Sequence, residues 1–98
     1  MRIETIQEGS KMTLKLIGRL DTNTAPDLEA VIRTKLDGVT SLVIDFKELD
    51  YISSAGLRVL LAAQKTMNRQ GTLVICNVNE LIMDVFSSTG FVDILTIQ

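Results

Sequence analysis

The apolar residues of this chain change their period several times between the two termini, and that alternation constrains the fold more than any other feature of the sequence. Met12, Leu14 and Leu16 alternate with Lys11, Thr13 and Lys15, the period of two expected of a half-buried strand. Leu28, Val31 and Ile32 then fall on one helical stripe, and the period shortens again at Ser41 to Phe46 ("SLVIDF"), apolar on both faces except for Asp45. Leu57, Leu60, Leu61, Gln64 and Met67 return to helical spacing, Thr72 to Cys76 reads as a strand, and Leu81, Ile82, Val85 and Phe86 form the buried face of a third helix.

Punctuation residues set the boundaries. The weakly alternating "RIETIQ" at 2 to 7 followed by "EGSK" predicts a hairpin with the strand that starts at Lys11. Thr24 reads as the N-cap of the first helix with Asp27 three residues on as its acidic partner, and Asp37-Gly38 as that helix's end. Asn79 is the expected cap of the third helix, Gly90 its end, and Asp93 to Ile97 a short last strand. The expected order is β-β-α-β-α-β-α-β. Strands separated by helices need crossover connections, so the prediction is an α/β fold with a small mixed, mostly parallel sheet in which the strand at 41–46 is central. A chain of 98 residues is too short for two cores, so residues 1–98 are expected to form a single domain.

Composition removes several classes of function. A formal net charge of -2 and a pI near 5.0 provide no basic field for DNA or RNA. The longest uninterrupted apolar stretch, Val59 to Ala63, is far below the roughly 20 residues that span a bilayer. The expectation is a cytoplasmic protein with no nucleic acid partner and no membrane insertion. Absence of histidine removes a serine-histidine-carboxylate triad and a histidine metal site, and a single cysteine, Cys76, cannot build a thiolate zinc centre. No glycine-rich phosphate loop is present, and no cofactor is expected. Cys76 closes the apolar run Leu73-Val74-Ile75 and reads as a buried thiol. Asp21, Asp45 and Asp50 all fall at expected strand ends, where acidic groups either cap and solubilise or gather to hold magnesium.

The stretch "YISSAGLR" at 51 to 58 lies where a strand passes into a helix. One serine there is accounted for as an N-cap. Two serines followed by Ala55-Gly56 are not, because glycine in the first turn costs about 1 kcal/mol of helix stability and is the residue that admits a close approach by another backbone or a partner. Open parallel sheets present their ligands beyond the carboxyl ends of the strands, which is where this turn falls.

"GRLD" at 18–21, "LVIDFKELDYISSAGLRVLLAAQK" at 42–65 and "SSTGF" at 87–91 together resemble the anti-sigma factor antagonist proteins, bacterial single-domain members of the STAS family. The resemblance covers essentially the whole chain, and its central stretch is the specific part. It implies a phosphorylation-switched binding module of transcription regulation. In the family an anti-sigma factor that is also a serine-protein kinase phosphorylates one serine at the start of this helix, a serine phosphatase reverses the modification, and the unphosphorylated form binds the kinase and frees a sigma factor. Alignment through Gly56 and Leu57 implies Ser54 as the acceptor, with Ser53 as second choice. Ser53 then stands where the family carries aspartate, Ala55 where it carries a hydroxyl residue, and Arg58 where it carries glycine. The implied contact patch is Asp21, Ser53, Ser54, Gly56, Leu57 and Arg58.

At 100° per residue, Arg58, Ala62, Lys65 and Arg69 form a stripe opposite the apolar face of the second helix, with Ser54 on the same side, so a phosphate on Ser54 has Arg58 four residues away as a partner. Met83 is expected on the outer face of the third helix, extending this surface. Two rivals remain: the same fold as an accessory subunit of a transporter or secretion-control complex without phosphorylation, and a small hydrolase with Ser53 or Ser54 as nucleophile. The missing histidine argues against the second, because an unassisted hydroxyl is a weak nucleophile.

Overall fold

A computed structural model describes all 98 residues. Along the chain run β1 (Arg2–Glu8), β2 (Lys11–Leu20), α1 (Ala25–Lys35), β3 (Ser41–Ile52), α2 (Ser54–Asn68), β4 (Thr72–Cys76), α3 (Glu80–Thr89) and a 3-10 turn at Phe91–Asp93. The four strands lie in the order β1-β2-β3-β4. β1 and β2 form the antiparallel hairpin, while β2–β3 and β3–β4 are parallel, so the sheet is mixed and mostly parallel with β3 inside it.

One face of the sheet carries the core. Met12, Leu14, Leu16 and Leu20 of β2, Leu42, Ile44 and Phe46 of β3, and Leu73 and Ile75 of β4 are buried, together with Leu28 and Ile32 of α1, Leu57, Leu60 and Met67 of α2, and Ile82 and Phe86 of α3. The alternate residues Thr13, Lys15, Val43, Asp45, Val74 and Cys76 are only half-buried on the opposite face. Strand 41–46, apolar on both faces in sequence, is thus covered by helices on one face only.

β3 does not stop at Phe46 but continues to Ile52. Its register against β2 slips twice, from Lys15↔Asp45 to Ile17↔Glu48 and from Gly18↔Leu49 to Arg19↔Tyr51. Each slip inserts one extra β3 residue, a β-bulge. Phe46, Leu49 and Ile52 are three apart in sequence, and the two bulges return all three to the core face, where they are buried.

The expected last strand at Asp93–Ile97 is reduced to one parallel bridge, Ile75↔Ile97. The amides of Asp93, Ile94 and Leu95 are instead spent on Gly90 and Phe91 carbonyls at 2.9–3.1 Å, because the left-handed Gly90 (φ 79°) leads directly into a tight turn. Ile75 still closes the β4 edge, donating to the Thr96 carbonyl and accepting from the Gln98 amide at 2.9 Å each.

α3 starts at its expected cap, with Asn79 Oδ1 accepting from the Ile82 amide at 2.8 Å, and Asn79 Nδ2 also donates to the Leu49 carbonyl at 3.0 Å. That second bond ties the helix to β3. Leu81 and Met83 flank Ile82 by 100° on either side, and α3 turns its Met83 side inward. Leu81, expected in the buried face, is 56% exposed, and Met83, expected on the outer face, packs against the core.

At the amino ends of the parallel strands, the Thr40 amide donates to the Ser10 carbonyl at 2.8 Å and the Thr72 amide to the Thr40 carbonyl at 3.0 Å. Gln70 Nε2 donates to the Leu36 and Val39 carbonyls at 2.6 and 2.7 Å, and a Cβ on Gly71 would run into the Thr40 carbonyl. No helix is long and apolar enough to cross a membrane.

The orientation of α3 has a direct check. Ile82→Ala is expected to cost about 2–5 kcal/mol in urea unfolding, while Leu81→Ala stays within about 0.5 kcal/mol; equal losses would mean that the helix is rotated from this position.

Candidate functional site

β2 and β3 end together at Leu20 and Ile52, and the Ser53 amide donates to the Leu20 carbonyl at 2.9 Å. The chain turns there into α2. Ser53 has extended backbone angles and its carbonyl accepts from the Leu57 amide at 3.0 Å, so it is the N-cap residue by position. Its hydroxyl does not cap. Ser53 Oγ is buried and has no hydrogen-bond partner, and α2 begins with neither a side-chain cap nor an acidic residue in its first turn. Ser54, the first helical residue, is exposed. The turn thus carries one enclosed and one accessible hydroxyl.

Gly56 explains how closely α2 sits on the strand ends. A Cβ at this position would lie 2.7 Å from Leu20 Cγ and 2.9 Å from Ile52 Cγ1. The close approach that the sequence assigned to another backbone or a partner is made by side chains of the domain itself. Gly56 and Leu57 are both buried. Of the six residues expected in the contact patch, Ser54 and Arg58 are exposed and Asp21 is half-buried, while Ser53 turns its hydroxyl inward and Gly56 and Leu57 support the surface from beneath.

Asp21 follows β2 directly. Its Oδ1 accepts from the amides of Asn23 and Thr24 at 3.0 and 3.1 Å, and Arg19 Nε lies 3.7 Å from Oδ2. Partial desolvation opposes ionisation, but the Thr24 and Asn23 amides outweigh it and hold the carboxyl below its ordinary pKa. The expected Thr24 cap is not formed. Thr24 occupies the N-cap position of α1, yet its hydroxyl turns back toward β2, donating to the Arg19 carbonyl at 2.8 Å and accepting from the Asp21 amide at 2.9 Å. Asp21 takes over the satisfaction of the amides at this turn. The Arg19 guanidinium also lies 4.2 Å from the centre of the Tyr51 ring, tying the end of β2 to that of β3.

Beside Ser54 opens a groove of about 730 Å³ between α1 and α2. Ala25 and Ile32 of α1 line it with Ala55, Val59 and Ala62 of α2, and Arg58 stands in its wall. Sequence reading missed the α1 side; the small residues Ala25, Ala55 and Ala62 at one helix pair were the available clue, since they leave the gap unfilled. Arg58, Ala62, Lys65 and Arg69 are all exposed, as the helical stripe predicts.

The other carboxylates do not gather here. Asp45 lies within β3 on the open sheet face, where its Oδ1 accepts from Asn77 Nδ2 and the Lys47 amide at 2.9 Å each; desolvation raises its pKa, but these bonds and the charges of Lys15 and Lys47 lower it overall. No group of three or more histidine, cysteine, aspartate or glutamate side chains is placed to hold a metal ion. Cys76 is half-buried, and burial followed by the Asp45 charge pushes its thiol pKa up, away from a reactive thiolate.

The two inward-facing residues respond oppositely to the same added or removed bulk. Gly56→Ala is expected to destabilise the fold by about 1–3 kcal/mol through overpacking against Leu20 and Ile52. Ser53→Ala removes an unpaired buried hydroxyl and is expected to be neutral or stabilising by up to about 1 kcal/mol; thermal unfolding of the two variants reads both signs.

Residues 2–98 match the sequence family described as the STAS domain. The chain is 39% identical, over 84 residues that make up 84% of it and 72% of the relative, to a candidate anti-sigma factor antagonist, BtrV, of Bordetella bronchiseptica. It is 28% identical to the anti-sigma-B factor antagonist of Staphylococcus aureus over all of its own length and 93% of the relative's. Among solved structures, SpoIIAA, described as an anti-sigma factor antagonist and a Bacillus cell fate determinant, superposes with a TM-score of 0.78 in its unphosphorylated form, at 18% identity over 99% of this chain and 87% of that one. Its phosphorylated form gives 0.78 as well, at 19% identity over 99% and 91%. The structural likeness carries the fold, and the family match over nearly every residue carries the kinship: this chain belongs to the STAS domain family.

Proposed function

We propose that this protein is an anti-sigma factor antagonist, a binding module whose affinity for its partner is switched by phosphorylation at Ser54. With Ser54 free it binds an anti-sigma factor that is also a serine-protein kinase, and so releases a sigma factor; the kinase modifies Ser54 and ends the binding, and a serine phosphatase restores it. The observation that carries the choice of residue is the contrast at the α2 turn, where the Ser54 side is exposed and Ser53 Oγ is enclosed. The relatives named as anti-sigma factor antagonists supply the class of partner.

The electrostatics of the turn favour this reading. α1 has Asp27 in its first turn and α3 has the Asn79 cap and Glu80, whereas the positive end of α2 is uncompensated. A phosphoserine carries about -1.5 to -2 charges near neutral pH, and the start of a long helix accommodates them without loss of the fold. That both forms of SpoIIAA match this fold equally well is consistent with a modification that spares the domain. The same charge inside a docked interface costs roughly 3 kcal/mol through desolvation and repulsion, about a hundredfold in affinity. The module needs no catalysis of its own. The chain has no histidine to activate either serine, and the Asp21 carboxylate is engaged by two amides.

Intact-mass and fragment mapping of the protein from its native cells is expected to place about 80 Da on Ser54, and Ser54→Asp is expected to weaken binding to the partner kinase about a hundredfold while Ser53→Ala leaves it unchanged. Phosphate on Ser53, or none under any growth condition, overturns the assignment.

Arg58, exposed one helical turn beyond Ser54, is positioned to pair with the phosphate. Arg58→Ala is then expected to raise the second pKa of the phosphoserine, followed by phosphorus NMR, and to lower the melting temperature of the phosphorylated form alone. No change in either quantity removes Arg58 from the switch.

A further inference from the structure

The two edges of the sheet are treated differently. At the β4 edge, both backbone groups of Ile75 are occupied by Thr96 and Gln98. At the β1 edge nothing is seated. All seven residues of β1 pair with β2 without a register shift, six of the seven are exposed, and the strand contains no proline, lysine or bulge. Such a strand has one row of backbone donors and acceptors facing solvent, ready to pair with another strand.

The side chains of β1 specify which strand fits. Arg2, Glu4, Ile6 and Glu8 share the face opposite the core, beside Ile17, Lys15, Thr13 and Lys11 of β2, and Ile6 is 45% exposed. When two copies of β1 run antiparallel about a two-fold axis at Thr5, all seven residues of each are paired. Arg2 then faces Glu8 of the other copy at both ends, Ile3 faces Gln7, and Glu4 faces Ile6. Moving the axis to Glu4 sets two glutamates opposite each other, and moving it to Ile6 sets Glu4 opposite Glu8 twice. Only the Thr5 register uses the full strand and places opposite charges in direct register without a like-charged pair, and cross-strand charge pairs of this kind select register.

We propose that β1 is a self-association surface, through which two copies of this chain form an antiparallel β1–β1 pair centred on Thr5 and a continuous eight-stranded sheet. The pairing closes at two copies. The other edge of each sheet is partly occupied by the chain's own C-terminal residues, so edge-to-edge growth stops at the dimer. β2 separates β1 from β3, from which the chain enters α2, so this surface is distinct from the Ser54 turn and does not depend on the function proposed for it. The dimer carries two Ser54 turns, one on each half.

Sedimentation equilibrium of the intact chain from about 1 µM to about 1 mM tests the surface. The wild type is expected to show a monomer–dimer equilibrium within this range. Glu8→Arg or Arg2→Glu alone puts like charges in register at both ends and is expected to weaken the dimer about tenfold, whereas the double variant R2E/E8R restores it to within about threefold. Amide hydrogen exchange in β1 should slow with concentration in the wild type and the double variant, which also shows that both remain folded. A wild type that stays monomeric throughout the range, or a dimer indifferent to both single reversals, overturns the proposal.

Discussion

The carboxyl end of the sheet depends on a contact that only glycine permits. Because Gly56 has no side chain, Leu20 and Ile52 press directly on the first turn of α2, and the Ser53 amide reaches the Leu20 carbonyl. That packing fixes which way each residue of the turn faces. It encloses Ser53, leaves Ser54 at the surface, buries Leu57 and carries Arg58 into the wall of the α1–α2 groove. The helix-propensity cost of a first-turn glycine is thereby offset by burial of two large aliphatic side chains.

Most of the architecture could be read from periodicity because most elements obey one period throughout. β2 alternates cleanly, α1 and α2 keep their stripes, and Asn79 and Gly90 bound α3 as their side-chain chemistry requires. The failures fall where backbone hydrogen bonds overrule the side-chain pattern. β3 looked finished at Phe46 because its inward residues then come every third position, a spacing that two bulges make compatible with a strand. The segment after Gly90 looked like a strand, but a tight turn consumes its amides first. Leu81 and Met83 are symmetric about Ile82 in sequence, and the choice between them is made by contacts to β3, the Asn79 bond to Leu49 and the packing of Phe86 on Phe46, that the local pattern does not contain.

The candidate site was legible in location and incomplete in detail. The sequence drew attention to Ser53, Ser54 and Gly56 as a group, yet their division into enclosed and accessible parts depends on Leu20, which lies far away along the chain. The same applies to Thr24. Its position before α1 satisfies every local rule for a cap, but Asp21 already holds the neighbouring amides, and the Thr24 hydroxyl finds a better acceptor in the Arg19 carbonyl. The α1 wall of the groove left only a weak trace in the sequence, Ala25, Ala55 and Ala62, because alanine is unremarkable in any helix until two helices are laid side by side.

The stitching of Ser10, Thr40 and Thr72 at the amino ends of the strands has a consequence for how chains of this architecture diversify. There the joins are made by main chain, reinforced by Gln70 and by the fit of Gly71 against Thr40, so an insertion would break several bonds at once. At the other end the main chain joins β2 to the α2 turn by the one bond from Ser53 to Leu20, Arg19 and Asp21 add side-chain ties, and the outward Ser54 and Arg58 make no side-chain hydrogen bond or ion pair within the fold. Recognition is therefore free to be rewritten by substitution at one pole of the sheet while the opposite pole preserves the scaffold, and descent with altered partners requires no rearrangement of the strands.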